Sequence, residues 1–310
     1  MKNYNKRNIY QEVTDTIIKQ LGEVSAEDYR SPWVNILGQS PMSIDGRAYR
    51  GLNWVLLSNY AAQCPSMTFG TYNAWKNHGG HVRKGERGKL VTLWKSFKVT
   101  NGDGDGDGDG DNDGGASKTG LFLRHFTVFG AEQVDNIDVD SLLAKRRAKQ
   151  PNKAQALAHV ESLVANYLTN DGLTLAHGGN RAFYAPSKDH IQMPERASFY
   201  DTEGYYSTLL HEMGHSTLHA KRLDRKSNSR RFGDIGYAQE ELVAEITSAM
   251  LTAALGIEDQ PRPDHARYLQ SWLQCLKDHN KAIFTAASQA QKAADYIMAY
   301  AADSEVRAAA

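Results

Sequence analysis

At 310 residues, with 41% hydrophobic and 23% charged content, the chain is too long for one typical domain and too apolar for a disordered segment. No apolar run approaches a membrane span and no hydrophobic signal core follows the basic N-terminus, so the reading is a soluble, cytoplasmic protein with no membrane partner. The formal net charge is zero, yet residues 41–98 hold nine Lys/Arg against only Asp45 and Glu86, a local +7 that would suit a polyanion.

In chain order, residues 7–21 space Ile9, Val13, Ile17 and Leu21 four apart, which predicts an amphipathic helix. Pro32 and the run Ser40-Pro41 to Asp45-Gly46 close that segment. A second helix is predicted over 51–63, on Leu52, Val55, Leu56 and Tyr60, and a short one over 68–79, with Tyr72 and Trp75 before Gly79-Gly80. Two alternating apolar runs, 89–99 and 121–129, predict a strand pair. Between them, at 101–119, lies a Gly-Asp repeat that has no residues for a core, so it reads as a solvated acidic loop. Calcium binding is the alternative there, but a repeat-type calcium site needs an apolar residue in each unit, and this loop has none.

Residues 132–152, closing on Lys145-Arg146-Arg147-Ala148-Lys149 and Pro151, read as an interdomain linker. Helices follow near 153–169, 203–219 and 238–255, then two more at the C-terminal end, with a hairpin at 182–185 and 190–193. The last two helices bury Tyr268, Trp272, Leu276, Ile283 and Phe284, then Ala294, Ile297 and Tyr300. Cys64 and Cys275 lack metal-type spacing and suit a reducing compartment.

His211-Glu212-Met213-Gly214-His215 carries the chemistry. Residues four apart share a helix face, so both imidazoles can bind one cation, and Glu212 beside them can take a proton from water activated there. The third ligand is sought in Glu240-Glu241-Leu242-Val243-Ala244-Glu245, whose apolar residues put the acids near a core, where they need a partner. Glu241 is favoured for the metal and Glu245 for the free N–H of a ligand histidine; Glu245 and His219 remain alternatives. Two histidines and a carboxylate leave a position open, which fits a catalytic Zn2+, with Mn2+ as a possible substitute. The strand His190–Met193 is expected to hold a substrate by edge pairing, and Tyr205, Tyr206 or His219 to face the oxyanion.

With these residues in view, both halves resemble the ArdC antirestriction family. The N-terminal likeness runs from Pro32-Trp33 through Tyr49-Arg50-Gly51-Leu52-Asn53, Trp75, the run from Gly79 to Glu86, and Phe126-Thr127-Val128-Phe129. The C-terminal likeness covers Tyr184, Tyr205 to Leu209, the histidine motif, Arg222-Leu223 and Tyr237 to Glu245. The resemblance implies an α+β chain of two domains. Residues 1–131 would form an α+β single-stranded-DNA-binding domain, 132–152 a linker, and 153–310 a mainly helical zincin-like metallopeptidase domain with a small sheet. It also implies a glutamate ligand with an acid four residues on, which matches Glu241 and Glu245. The basic region then reads as a DNA surface, with Arg47, Arg50, Asn53, Lys76, Arg83 and Lys84 as polar contacts and Tyr49, Tyr72, Trp75 and Trp94 as stacking faces. The implied function is protection of incoming plasmid or phage DNA, with a restriction enzyme or DNA-bound protein as possible substrate. The alternative is a shield of single strands whose metal site is structural or idle.

Overall fold

A computed structural model of the protein describes residues 8–22, 39–99, 118–225, 235–257 and 265–301. The Gly-Asp repeat, Pro32 and Trp33 lie outside the described residues.

The N-terminal half runs through α1 (Ile9–Gly22), β1 (Met42–Ser43), α2 (Leu52–Ser58), β2 (Thr68–Gly70), α3 (Tyr72–Asn77), β3 (His81–Val82), β4 (Lys89–Val99), β5 (Lys118–Gly130) and β6 (Val134–Asp135). Helix α2 is shorter than its apolar pattern predicts, and residues 59–63 continue as turns. The segment 68–79 opens as a strand and becomes helical only at Tyr72, where the Thr71 hydroxyl accepts from the Ala74 N–H at 3.1 Å. Strands β1, β2, β5 and β4 form one sheet in that order, leaving β4 at an edge, and β3 pairs with β6. The long β4–β5 ribbon pairs Lys89 with Val128 and Val99 with Lys118.

The segment expected to be a linker is largely ordered as α4 (Val139–Lys149), none of whose residues is buried. Asp138 caps it, and Val139 and Leu142 pack half-buried against the cluster of Trp75, Ala131 and Val134, which together hold this basic run as a helix. The C-terminal half continues with α5 (Lys153–Asp171), β7 (Thr174–His177), β8 (Phe183–Ala185), β9 (His190–Met193), α6 (Thr202–Ser216), α7 (Ile235–Leu255), α8 (His265–Asp278) and α9 (Ala282–Met298). Asn152 and Gln155 close a reciprocal capping box on α5, and Asp201 caps α6.

Helix α7 is the centre of this half. Leu242, Val243, Ile246, Ala249, Leu251 and Leu255 are buried on every side of it, and it packs against α6, α8 and α9. Its core does not stop at the N-terminal half. Val13, Ile17 and Leu21 of α1 and Trp54 to Leu56 of α2 belong to the same apolar cluster as Trp272, Ile283 and Ala290. Polar contacts cross as well: Thr14 donates to the Asn280 carbonyl, and Arg50 grips Asp295 at 2.5 and 2.6 Å.

The small sheet has the order β7-β9-β8, so β9 lies between two partners. That corrects the edge-pairing expectation for His190–Met193. Both its backbone edges are already used, and an added strand could join this sheet only at β7 or β8.

Candidate metal centre

Helices α6 and α7 carry the site. Gly214, within the histidine motif, lets them approach: a Cβ there would sit 3.3 Å from the Cα of Ala244 and 3.4 Å from Thr247. Across this contact the Nε2 atoms of His211 and His215 lie 3.1 Å apart. The Glu241 carboxylate faces both, with Oε2 at 3.5 Å from His211 and Oε1 at 3.5 Å from His215. One donor atom from each of the three falls within a 4.8 Å cluster.

The rear nitrogens are held as well. His211 Nδ1 faces Glu245 at 3.6 Å and His215 Nδ1 faces Glu240 at 3.1 Å. Arg225 in turn grips both oxygens of Glu240, at 2.7 and 3.0 Å, and donates to Thr217 and to the Gly214 carbonyl. Glu240 therefore holds the His215 tautomer from behind through a hydrogen bond, while Glu245 faces His211 Nδ1 from a longer distance.

The charge balance fits a cation. Burial alone would push the His215 pKa down, yet Glu241, aided by a hydrogen bond to Glu240, raises it to about 10. Burial would likewise raise the Glu241 pKa, but the two histidines hold it well below the usual carboxylate range. Two imidazoles and a carboxylate, converging in a negative field, are a donor set for a divalent transition metal.

Glu212 is buried on α6 beside His211 and makes no hydrogen bond or ion pair among the described residues. His219 takes no part in the cluster. Helix α6 ends at Ser216, and the His219 Nδ1 accepts from the Lys221 N–H. The expected oxyanion tyrosines are engaged elsewhere: Tyr206 donates to Glu161, and Tyr205 meets His177 Nε2 at 2.8 Å.

The DNA candidates separate into three groups. Trp75 is fully buried and donates to the Phe129 carbonyl, so it is a core residue and cannot stack on a base. Asn53 clamps the Thr92 backbone on the open edge of β4, and Arg50 is bound to Asp295. Tyr49 is half-buried against Phe69, and Arg83 bonds Glu86 and the Glu132 carbonyl. Arg47, Tyr72, Lys76, Lys84 and Trp94 remain exposed.

Two family models match the chain: a zincin-like metallopeptidase over residues 159–289 and the N-terminal domain of anti-restriction factor ArdC over residues 7–129. The metal-free crystal structure of antirestriction protein ArdC from plasmid R388 is 36% identical, with a TM-score of 0.73 over 96% of this chain and 98% of that one. The chain belongs to the ArdC antirestriction family. The Mn(II)-bound form of R388 ArdC is 34% identical, with a TM-score of 0.70 over 96% and 100% of the two chains. A Sinorhizobium fredii protein, y4eC, is 40% identical over 97% of this chain and 96% of its own length. An Escherichia coli DNA primase, TraC, is 36% identical over 95% of this chain, which spans only 20% of TraC.

Sequence reasoning about this ArdC relative missed Arg225 and the place of Glu240. The sequence assigns Glu240 no role beside Glu241 and Glu245, and the structure turns it to the rear of His215. The signal was present in the apolar Leu242 and Val243, which require an acid beside them to find partners within the core.

Proposed function

We propose that the chain binds single-stranded DNA and, at its metal centre, hydrolyses a peptide bond, protecting incoming plasmid or phage DNA from restriction in the cytoplasm. The observation that carries the peptidase reading is the convergence of His211, His215 and Glu241 beside an uncommitted Glu212. A bound divalent cation would polarise the substrate carbonyl and acidify water at that point. The remaining work falls to the chain's own groups. Glu245 and Glu240, with Arg225, orient the two imidazoles, and Glu212 accepts a proton and returns it to the departing amine. Zn2+ suits this donor set, and the Mn(II)-bound form of R388 ArdC supports Mn2+ as a second occupant. A protein bound to DNA, such as a restriction enzyme, is the proposed substrate. The family likeness and the local +7 of residues 41–98 support the DNA half of the reading.

A second reading has an observation in its favour. His211 and Glu212 are each 7% exposed and Glu241 5%, an enclosure that would also suit a structural metal in a protein that simply coats single strands. The discriminating experiment compares protection of DNA from a restriction enzyme by the native chain and by Glu212→Gln. Loss of protection by a variant that still holds metal and DNA supports hydrolysis, and full protection supports the shield.

A further inference from the structure

We infer that the DNA lies along one face of the β4–β5 ribbon, with bases stacked on Phe126 and Phe122 and phosphates held by Lys89, Lys95 and Arg124. This rests on the single-stranded-DNA reading above and places its centre at the far end of the basic region 41–98, on the ribbon rather than on the candidates from Arg47 to Lys84.

The two strands contain five Lys/Arg and no Asp or Glu. Their register sets Val91 opposite Phe126, Leu93 opposite Arg124 and Lys95 opposite Phe122, and alternation along each strand puts these side chains on one face. At the base of that face Val91 and Val128 are buried in the N-terminal core. Beyond them, Leu93 is 46% exposed and Phe126 36%, with Lys95 and Arg124 open to solvent. Large apolar groups interleaved with cations on an open sheet are a cost to a soluble chain unless something covers them.

The cations already sit at ring level. The Arg124 guanidinium lies 5.1 Å from the centre of Phe122, and the Lys89 ammonium 4.2 Å from that of Tyr60. A base stacked on the exposed Phe126 ring, or displacing the guanidinium from the half-buried Phe122, would bring its phosphate within reach of Arg124, the pairing that sequence-tolerant single-strand binding uses. From Lys89 to Lys95 the face runs about 20 Å, enough for several nucleotides.

The opposite face is committed at its base, where Leu90 packs into the main core and the buried Thr92 side chain donates its hydroxyl to Asn53 Oδ1. Further out it carries Trp94, half exposed beside Tyr10. A second copy is a poor occupant, since a two-fold contact would oppose like charges with no acid between them. A duplex would engage the cations but leave the rings without unpaired bases.

The test uses the full-length chain and a fluorescein-labelled oligothymidylate, followed by anisotropy across a salt series. Lys95→Ala with Arg124→Ala is expected to lower affinity at least tenfold and to reduce the salt slope by roughly 1.4, two phosphate contacts on a single strand. Phe122→Ala with Phe126→Ala is expected to lower affinity by roughly tenfold and leave the slope unchanged. Native-like binding by both pairs, with loss in Lys76→Ala/Lys84→Ala, would overturn the inference while keeping the DNA reading. Failure of the native chain to bind the oligonucleotide at all would overturn the reading and the inference together. Self-association abolished by the phenylalanine pair, with DNA affinity intact, would assign the face to a second copy.

Discussion

The imidazoles of His211 and His215 are used at both nitrogens, and the two ends were not equally visible in sequence. The Nε2 ends follow from a local rule, since four residues along a helix return to the same face. The Nδ1 ends depend on how α7 is rotated, because Glu240, Glu241 and Glu245 all lie within one short run. Arg225 was out of reach, for its pairing with Glu240 is set by the path of the chain after α6. Glu240→Gln is expected to weaken metal affinity by about 10- to 100-fold in a chelator competition, and unchanged affinity would remove Glu240 from any part in holding His215. A second buried network lies away from the metal. The Arg222 side chain is fully buried, bonded to Asp171 and Asp189, and Tyr184 also donates to Asp189. Burial opposes the charge on Asp189, but the Arg222 and Tyr184 bonds outweigh it and hold its carboxyl below the usual range. A lowered folded pKa adds stability above the unfolded value near 4, and that stability is lost as pH falls through the folded one. Asp189→Asn, at a backbone φ of 48° that asparagine tolerates, is therefore expected to cost about 2 kcal/mol at pH 7, less than a fully broken pair because Asp171 remains. In urea unfolding the gap to the native chain should close below pH 4; a gap independent of pH would contradict the assignment.

Among the elements, the long periodic ones were legible and the short ones were not. The ribbon strands, α5, α6 and α7 match their sequence patterns to within a few residues, because each has enough apolar positions to define a period. Strand β2 was absorbed into a helix, and β7 was missed because its four residues expose no fully buried side chain. Trp75 shows the same limit for function: an aromatic beside lysines reads alike whether it stacks on a base or fills a core, and only tertiary packing decides. The contact between α6 and α7 depends on Gly214. Gly214→Val is expected to force the helices apart, costing about 1–3 kcal/mol in thermal unfolding of the metal-free chain, and to weaken metal binding by more than tenfold. Native stability and affinity in that variant would show that the close approach is not needed.

For the whole molecule, the two family models meet the sequence as separate halves, whereas the packing joins them. Periodicity could place α1 and α2 as amphipathic helices, but could not say that their apolar faces would meet α8 and α9. Burying six large side chains across that boundary couples the halves, so unfolding should be a single cooperative transition. Tryptophan fluorescence, to which the N-terminal half contributes Trp33, Trp54, Trp75 and Trp94 of the five tryptophans, should then coincide with helical circular dichroism, and two separated midpoints would contradict the coupling.

The central claim is that α6 and α7 together hold one divalent ion through His211, His215 and Glu241. It is tested most directly by the metal content of the full chain after equilibration with Zn2+ or Mn2+ and exhaustive dialysis, read by elemental mass spectrometry beside Glu241→Gln. One ion per native chain, and almost none in a folded Glu241→Gln, is the expected result. Stoichiometric metal in the variant would take the third ligand away from Glu241 and contradict the account.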